Sequence, residues 1–133
     1  MKSKISRDKI KKDLAELNRY EVIIFGSYAK GKFNIRSDID IAVITRNNNP
    51  EKNKKIWTSL LKIPSLYHLN IFELLPLDVK ADIMNNHIVL FGDRLEISEY
   101  FYHFRKLWND QKYRYYENQF SDFKEKMKAL SSN

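Results

Sequence analysis

Residues 26–40, GSYAKGKFNIRSDID, decide the reading of the whole chain. Before them stands Glu21–Phe25 (EVIIF), a short apolar run stopped by Gly26, which reads as a buried strand. They lead into residues 38–44 (DIDIAVI), which alternate and then turn wholly apolar, as a central strand does. Between the two, residues 27–32 read as a tight turn entering a short helix closed by Gly31. Alternation along the second strand puts Asp38 and Asp40 on one face and Ile39 on the other. Two carboxylates ~7 Å apart along a strand repel each other unless a cation lies between them. Hard oxygen donors, in a chain without cysteine and with no histidine close by in sequence, favour Mg²⁺ over zinc.

Gly26 has no side chain to keep a phosphate from the backbone amides. The Ser27 hydroxyl and amide can donate to phosphate oxygens at the start of the short helix that follows. Lys30 and Arg36 belong to the same segment and can neutralise triphosphate charge. A phosphate cradle thus faces a pair of metal-binding carboxylates. Nucleotidyl transfer requires that combination: bridged phosphates, a charge-stabilised α-phosphorus and an in-line nucleophile.

Outward from this centre, Ser6 caps a predicted helix over residues 7–19, where Ile10, Leu14 and Leu17 recur at helical spacing. Residues 45–53 (TRNNNPEKN) read as a polar loop, and Ile56, Leu60 and Leu61 as one face of a helix stopped near Pro64. Residues 68–75 (HLNIFELL) read as a third strand, Pro76 opens a helix to about Met84, and residues 87–91 (HIVLF) are extended. From 97 to 130 the chain has neither Gly nor Pro, so one long helix or two stacked ones follow. The order αβαβαβα plus a C-terminal helix predicts an α/β (α+β) fold, a mixed sheet of three to four strands flanked by helices. Residues 1–95 form the expected core and 96–133 a helical extension of the same domain.

At 133 residues there is material for one sizeable core, with 43% apolar and 31% charged residues. No apolar run approaches the ~20 residues that span a bilayer, and no secretory signal pattern opens the chain. With no cysteine for disulfides, the expectation is a cytoplasmic protein without a membrane partner. The net charge of +7 is uneven: residues 1–20 carry seven Lys/Arg against three Asp/Glu. Such a surface concentrates anions, nucleoside triphosphates or nucleic acid alike, and does not choose between them.

The segment resembles the G-S-x(10)-D-x-D signature of the DNA polymerase beta-like nucleotidyltransferase superfamily. In size the chain resembles its minimal members, the MNT or MntA-type proteins, with a similar element order over residues 7–93. The resemblance implies that Asp38 and Asp40 hold Mg²⁺ and that Gly26 and Ser27, with Lys30 and Arg36, hold the triphosphate of ATP. It implies AMP transfer to an acceptor hydroxyl, on a tyrosine of a partner HEPN-type toxin, so that the chain acts as an antitoxin. One departure stands out. The superfamily places a third carboxylate on the next strand, where this chain has Leu69-Asn70-Ile71-Phe72. Asn70 can ligate a metal or orient a hydroxyl but cannot take a proton. His68 shares its face, whereas Glu73 in a regular strand points away unless a bulge re-aims it. Two rival readings follow: a non-catalytic antitoxin that covers its partner, or transfer to RNA or a small molecule.

The C-terminal segment carries two aromatic stripes, Phe101/Phe104/Trp108 and Phe120/Phe123/Met127/Leu130. The first is expected to pack on the sheet. The second is expected to form an interface, making the chain a homo- or hetero-oligomer. His87 and His103 read as structural.

Overall fold

A computed structural model describes residues 5–32 and 38–131. Four strands form one mixed sheet in the order β3-β2-β1-β4: β1 Glu21–Phe25, β2 Ile39–Ile44, β3 Tyr67–Ile71 and β4 Ile88–Phe91. The pairs β1/β2 and β1/β4 are antiparallel, while β2/β3 is parallel. A parallel pair needs a crossover, here supplied by α3, Pro50–Ser59. Asn49 caps α3 through its side chain, and Pro50 sits in the first turn. β3 is an edge strand, and the Trp57 indole N–H of α3 donates to its Leu69 carbonyl at 3.0 Å, covering part of that edge.

Period-two alternation sorts the strands into two faces. Ile39, Ile41 and Val43 of β2 and Leu69 and Ile71 of β3 join Ile10 of α1, Arg7–Asp13, and Leu14 just after it in one core cluster. Ile23, Ala42 and Ile44 join Ala81, Ile83 and Met84 of α4, Leu77–Asn85, and Ile97 and Phe101 of α5, Arg94–Ser131, in the other. Fully burying each such side chain is worth ~1.5–3 kcal/mol, so both faces contribute to holding the sheet.

The Ser6 cap is present, its side chain accepting from the Lys9 amide at 3.2 Å. The predicted helix over 7–19 is shorter, however: α1 ends at Asp13 and a 3₁₀ turn covers Ala15–Leu17. The third strand also stops early. Phe72–Leu74 is a 3₁₀ turn, which removes Glu73 from the strand geometry assumed for it. The Glu73 carboxylate instead accepts from the Thr45 and Arg46 amides at 3.1 and 2.9 Å and from the Tyr100 hydroxyl at 2.6 Å. α5 is one continuous helix. On its first half Phe101 is buried, and Phe104 and Trp108 pack half-buried on the second cluster.

Candidate active site

The site lies where β1 ends and β2 begins. Phe25 pairs with Asp40 across the antiparallel ladder, so the turn at Gly26 rises beside the start of β2. Gly26 has φ +71°, in the left-handed region that penalises a Cβ. A Cβ there would also overlap Oδ2 of Asp40 and stand 3.2 Å from its Cγ. The sequence argument for Gly26 was phosphate access; the geometry adds that the Asp40 carboxylate rests directly on it.

α2, Gly26–Ala29, carries Ser27 and is pinned by Tyr28, which is buried and donates its hydroxyl to the Ile5 carbonyl. Burial pushes the Tyr28 phenol above its ordinary range, opposed by the charge of Arg7. The Ser27 carbonyl accepts from the Lys32 amide at 2.8 Å, closing the turn. This short helix is therefore a fixed element, and Ser27 is held half-buried beside the carboxylates.

Asp40 lies on the face of the sheet that α4 and α5 cover further along, and Asp38 stands just ahead of β2. There Ala42 and Ile44 are buried, whereas Asp40 is only partly buried and Asp38 exposed. The helices thus leave the carboxylate end of this face open. The parallel register sets His68 beside Asp40 and Asn70 beside Ala42. His68 Nδ1 lies 3.2 Å from Asp40 Oδ1. Asp40 is accordingly bounded on both oxygens, by Gly26 at Oδ2 and by His68 at Oδ1. Asn70 sits one ladder step deeper on the same face and donates to the His68 carbonyl at 3.3 Å.

Of the remaining candidates, the Lys30 ammonium lies 3.0 Å from Asp82 of α4, so a phosphate must compete with that carboxylate for it. Arg36 lies outside the described residues. The donor types fit Mg²⁺: two hard carboxylates two residues apart in the chain, that of Asp40 seated in a cradle that a Cβ would fill. Among the described residues no three His, Cys, Asp or Glu side chains gather closely enough to hold a metal alone. The contact missed in the sequence is His68–Asp40. Its signal was available, since His68 and Asn70 are two residues apart on a strand, but the parallel register that selects His68 was not.

Among the described residues no helix is long and apolar enough to cross a membrane. A nucleotidyltransferase domain family model matches residues 7–128. A protein of Methanocaldococcus jannaschii that carries the name "Putative protein adenylyltransferase MJ1547" is 43% identical over 109 residues, 81% of this chain and 84% of its own. Among solved structures, a chain of a toxin–antitoxin crystallised with AMP-PNP superposes with TM-score 0.56 at 21% identity, covering 86% of this chain and 99% of that one. A chain from a complex of the tri-AMPylated Shewanella oneidensis HEPN toxin with MNT antitoxin gives TM-score 0.50 at 18% identity, covering 85% and 95%. At such identities the structural likeness speaks for the fold. The family model and the archaeal relative carry the assignment: this chain belongs to the nucleotidyltransferase domain family and is a nucleotidyltransferase.

Proposed function

We propose that the chain transfers AMP from ATP to a tyrosine hydroxyl of a HEPN-type partner protein and thereby acts as its antitoxin. The observation that carries this reading is the Asp40 carboxylate seated on Gly26, with Ser27 next in the turn and exposed Asp38 just ahead of the strand. The name of the archaeal relative supports adenylyl transfer to protein. The AMPylated HEPN toxin in a neighbouring complex supports the acceptor class.

Asp38 and Asp40 would hold Mg²⁺, which would supply positive charge to offset the negative charge that develops on the phosphates. The Gly26–Ser27 turn presents amide and hydroxyl donors to the triphosphate, and Lys30 joins them when it leaves Asp82. The acceptor oxygen bonds to the α-phosphorus as its bond to pyrophosphate breaks, and pyrophosphate leaves with the electron pair. Asn70 cannot take the acceptor's proton. A phenol, with an ordinary pKa of about 10, gives that proton up to solvent water far more readily than an aliphatic alcohol does, which suits a tyrosine acceptor.

The test is incubation with Mg²⁺, ATP and a candidate HEPN partner, read by intact mass. The partner should gain AMP, and Asp38→Asn or Asp40→Asn should abolish the gain. Calorimetry separates the metal assignment from the acceptor: equal Mg²⁺-dependent ATP affinity in wild type and both variants would remove it. A second reading, neutralisation by covering the partner alone, is favoured by an amide at Asn70. It predicts a silenced partner with no gain in mass.

A further inference from the structure

The last part of α5 has a pattern that the fold uses only near its start, where the Tyr116 ring meets Trp108 edge to face at 5.8 Å. Tyr113, Tyr116, Phe120, Phe123, Met127 and Leu130 follow one another at steps of three and four residues, and each is at least 50% exposed. Alternating steps of three and four give a period of 3.5, the seam of a left-handed two-stranded coiled coil, rather than the 3.6 of a straight helix on a globular core. From Tyr113 to Leu130 the seam covers 18 residues, about 26 Å of helix at a rise of ~1.5 Å per step. Every residue from 117 to 130 is exposed, and a helix of this length without packing is marginal in water. The seam stops at Tyr113, since the preceding positions in the same pattern are Asn109 and Lys106.

We infer that this seam pairs in parallel with the same seam of a second copy of the chain. Charge on the flanks selects the occupant and its direction. In heptad terms Tyr113, Phe120 and Met127 are a positions and Tyr116, Phe123 and Leu130 are d positions. The g flank then carries Lys112, Gln119 and Lys126, and the e flank Glu117 and Lys124. Parallel self-pairing sets each g residue against the e residue five places on in the other copy. Lys112 meets Glu117, twice by symmetry, and Gln119 meets Lys124 without repulsion. Antiparallel self-pairing puts g against g and e against e, so its Glu117–Lys124 attraction is offset by Lys112 against Lys126, whereas the parallel pairing has the attraction without the repulsion.

The domain permits the parallel arrangement. Ile97, Phe101, Phe104 and Trp108 define the side of α5 that packs on the sheet. At 100° per residue the seam lies roughly 90° around the helix from that side. A two-fold axis along the coil therefore carries the two domains to opposite sides, clear of each other. The inference is independent of nucleotidyl transfer.

Sedimentation equilibrium of the full chain over a range of concentrations is the first test. Twice the single-chain 16.0 kDa is expected, dissociating on dilution, with Phe120→Glu/Phe123→Glu returned to one chain at all concentrations. Because the chain has no cysteine, Leu130→Cys tests direction: mild oxidation should give a disulfide dimer, and adding Phe120→Glu/Phe123→Glu should prevent it. A single-chain mass throughout overturns the inference, including one that rises only when a different protein is added. So does a doubled mass that survives the Glu substitutions, or one without the Leu130→Cys cross-link.

Discussion

Replacing Gly26 by alanine perturbs the site at the contact on which its geometry depends. Two costs can be worked out. The backbone at φ +71° disfavours any Cβ by roughly 1–2 kcal/mol. The new methyl also overlaps Oδ2 of Asp40, forcing that carboxylate from its rotamer at about 0.5–1.5 kcal/mol and away from His68. Gly31 supplies the control, because it has the same φ of +71° but, among the described residues, no atom within 4 Å of where its Cβ would stand. Gly31→Ala should therefore show only the backbone cost. Gly26→Ala should be less stable than Gly31→Ala by the rotamer term, about 0.5–1.5 kcal/mol, in urea denaturation followed by circular dichroism. Activity should separate the two far more. A displacement near 1 Å at a reacting group costs about 10²-fold, so Gly26→Ala should lose about that much AMP transfer while Gly31→Ala keeps its rate. A cycle with Asp40→Ala isolates the overlap, since the extra cost of Gly26→Ala should vanish once the carboxylate is gone. Equal rates in the two alanine variants, or an extra cost that persists without Asp40, would refute the reasoning.

Two further outcomes are expected. Asn70→Asp should raise the transfer rate by at least ~10²-fold, the low end for a positioned acid or base, if the amide stands in for a catalytic carboxylate; a slower variant in single-turnover kinetics would show the amide to be part of a working site. The fold should also lose stability at alkaline pH. Tyr67 and Tyr100 are pushed well above the ordinary 10.0, first by burial and then by their hydrogen bonds to Asp13 and Glu73. A raised pKa means that the folded state binds more protons, so this stability is complete below pH 10 and is lost as pH rises beyond it. Melting temperature against pH should fall less steeply above pH 10 in Tyr67→Phe and Tyr100→Phe, and an unchanged slope in both would contradict it.

The parts of the fold legible in the sequence are those where one local pattern suffices. EVIIF stopped by glycine and DIDIAVI with its buried odd positions gave β1 and β2, and with them the pairing that brings Gly26 to Asp40. Ser6 and the stretch free of Gly and Pro gave a helix start and the long α5. Glu73 shows where such reasoning fails. The run HLNIFELL is apolar enough to continue as a strand, yet the chain tightens into a 3₁₀ turn at Phe72. Phe72 is buried there against Phe101 and Phe104, their ring centroids 4.8 and 5.3 Å away. These partners are about 30 residues further on in the sequence, and no local window contains them.

The same distinction explains the site. Gly26 and Asp40 are brought together by the antiparallel pairing of β1 with β2, strands that are consecutive in the sequence, so local patterns alone predict their meeting. The third position depends on the register of a parallel pair, which the long connection through α3 does not set. Burial sets it instead: Leu69 and Ile71 must face the same cluster as Ile41 and Val43, which places His68 and Asn70 together on the carboxylate face. That constraint allows either His68 or Asn70 to stand beside Asp40, because both have the right parity. What distinguishes them is depth. Buried Phe72 follows Asn70 and fills the space under α4 and α5, so the strand enters the core immediately after Asn70. His68 is left at the open rim, where its ring reaches Asp40. A change at Asn70 therefore acts on the floor of the site, whereas a change at His68 acts on the orientation of Asp40 itself.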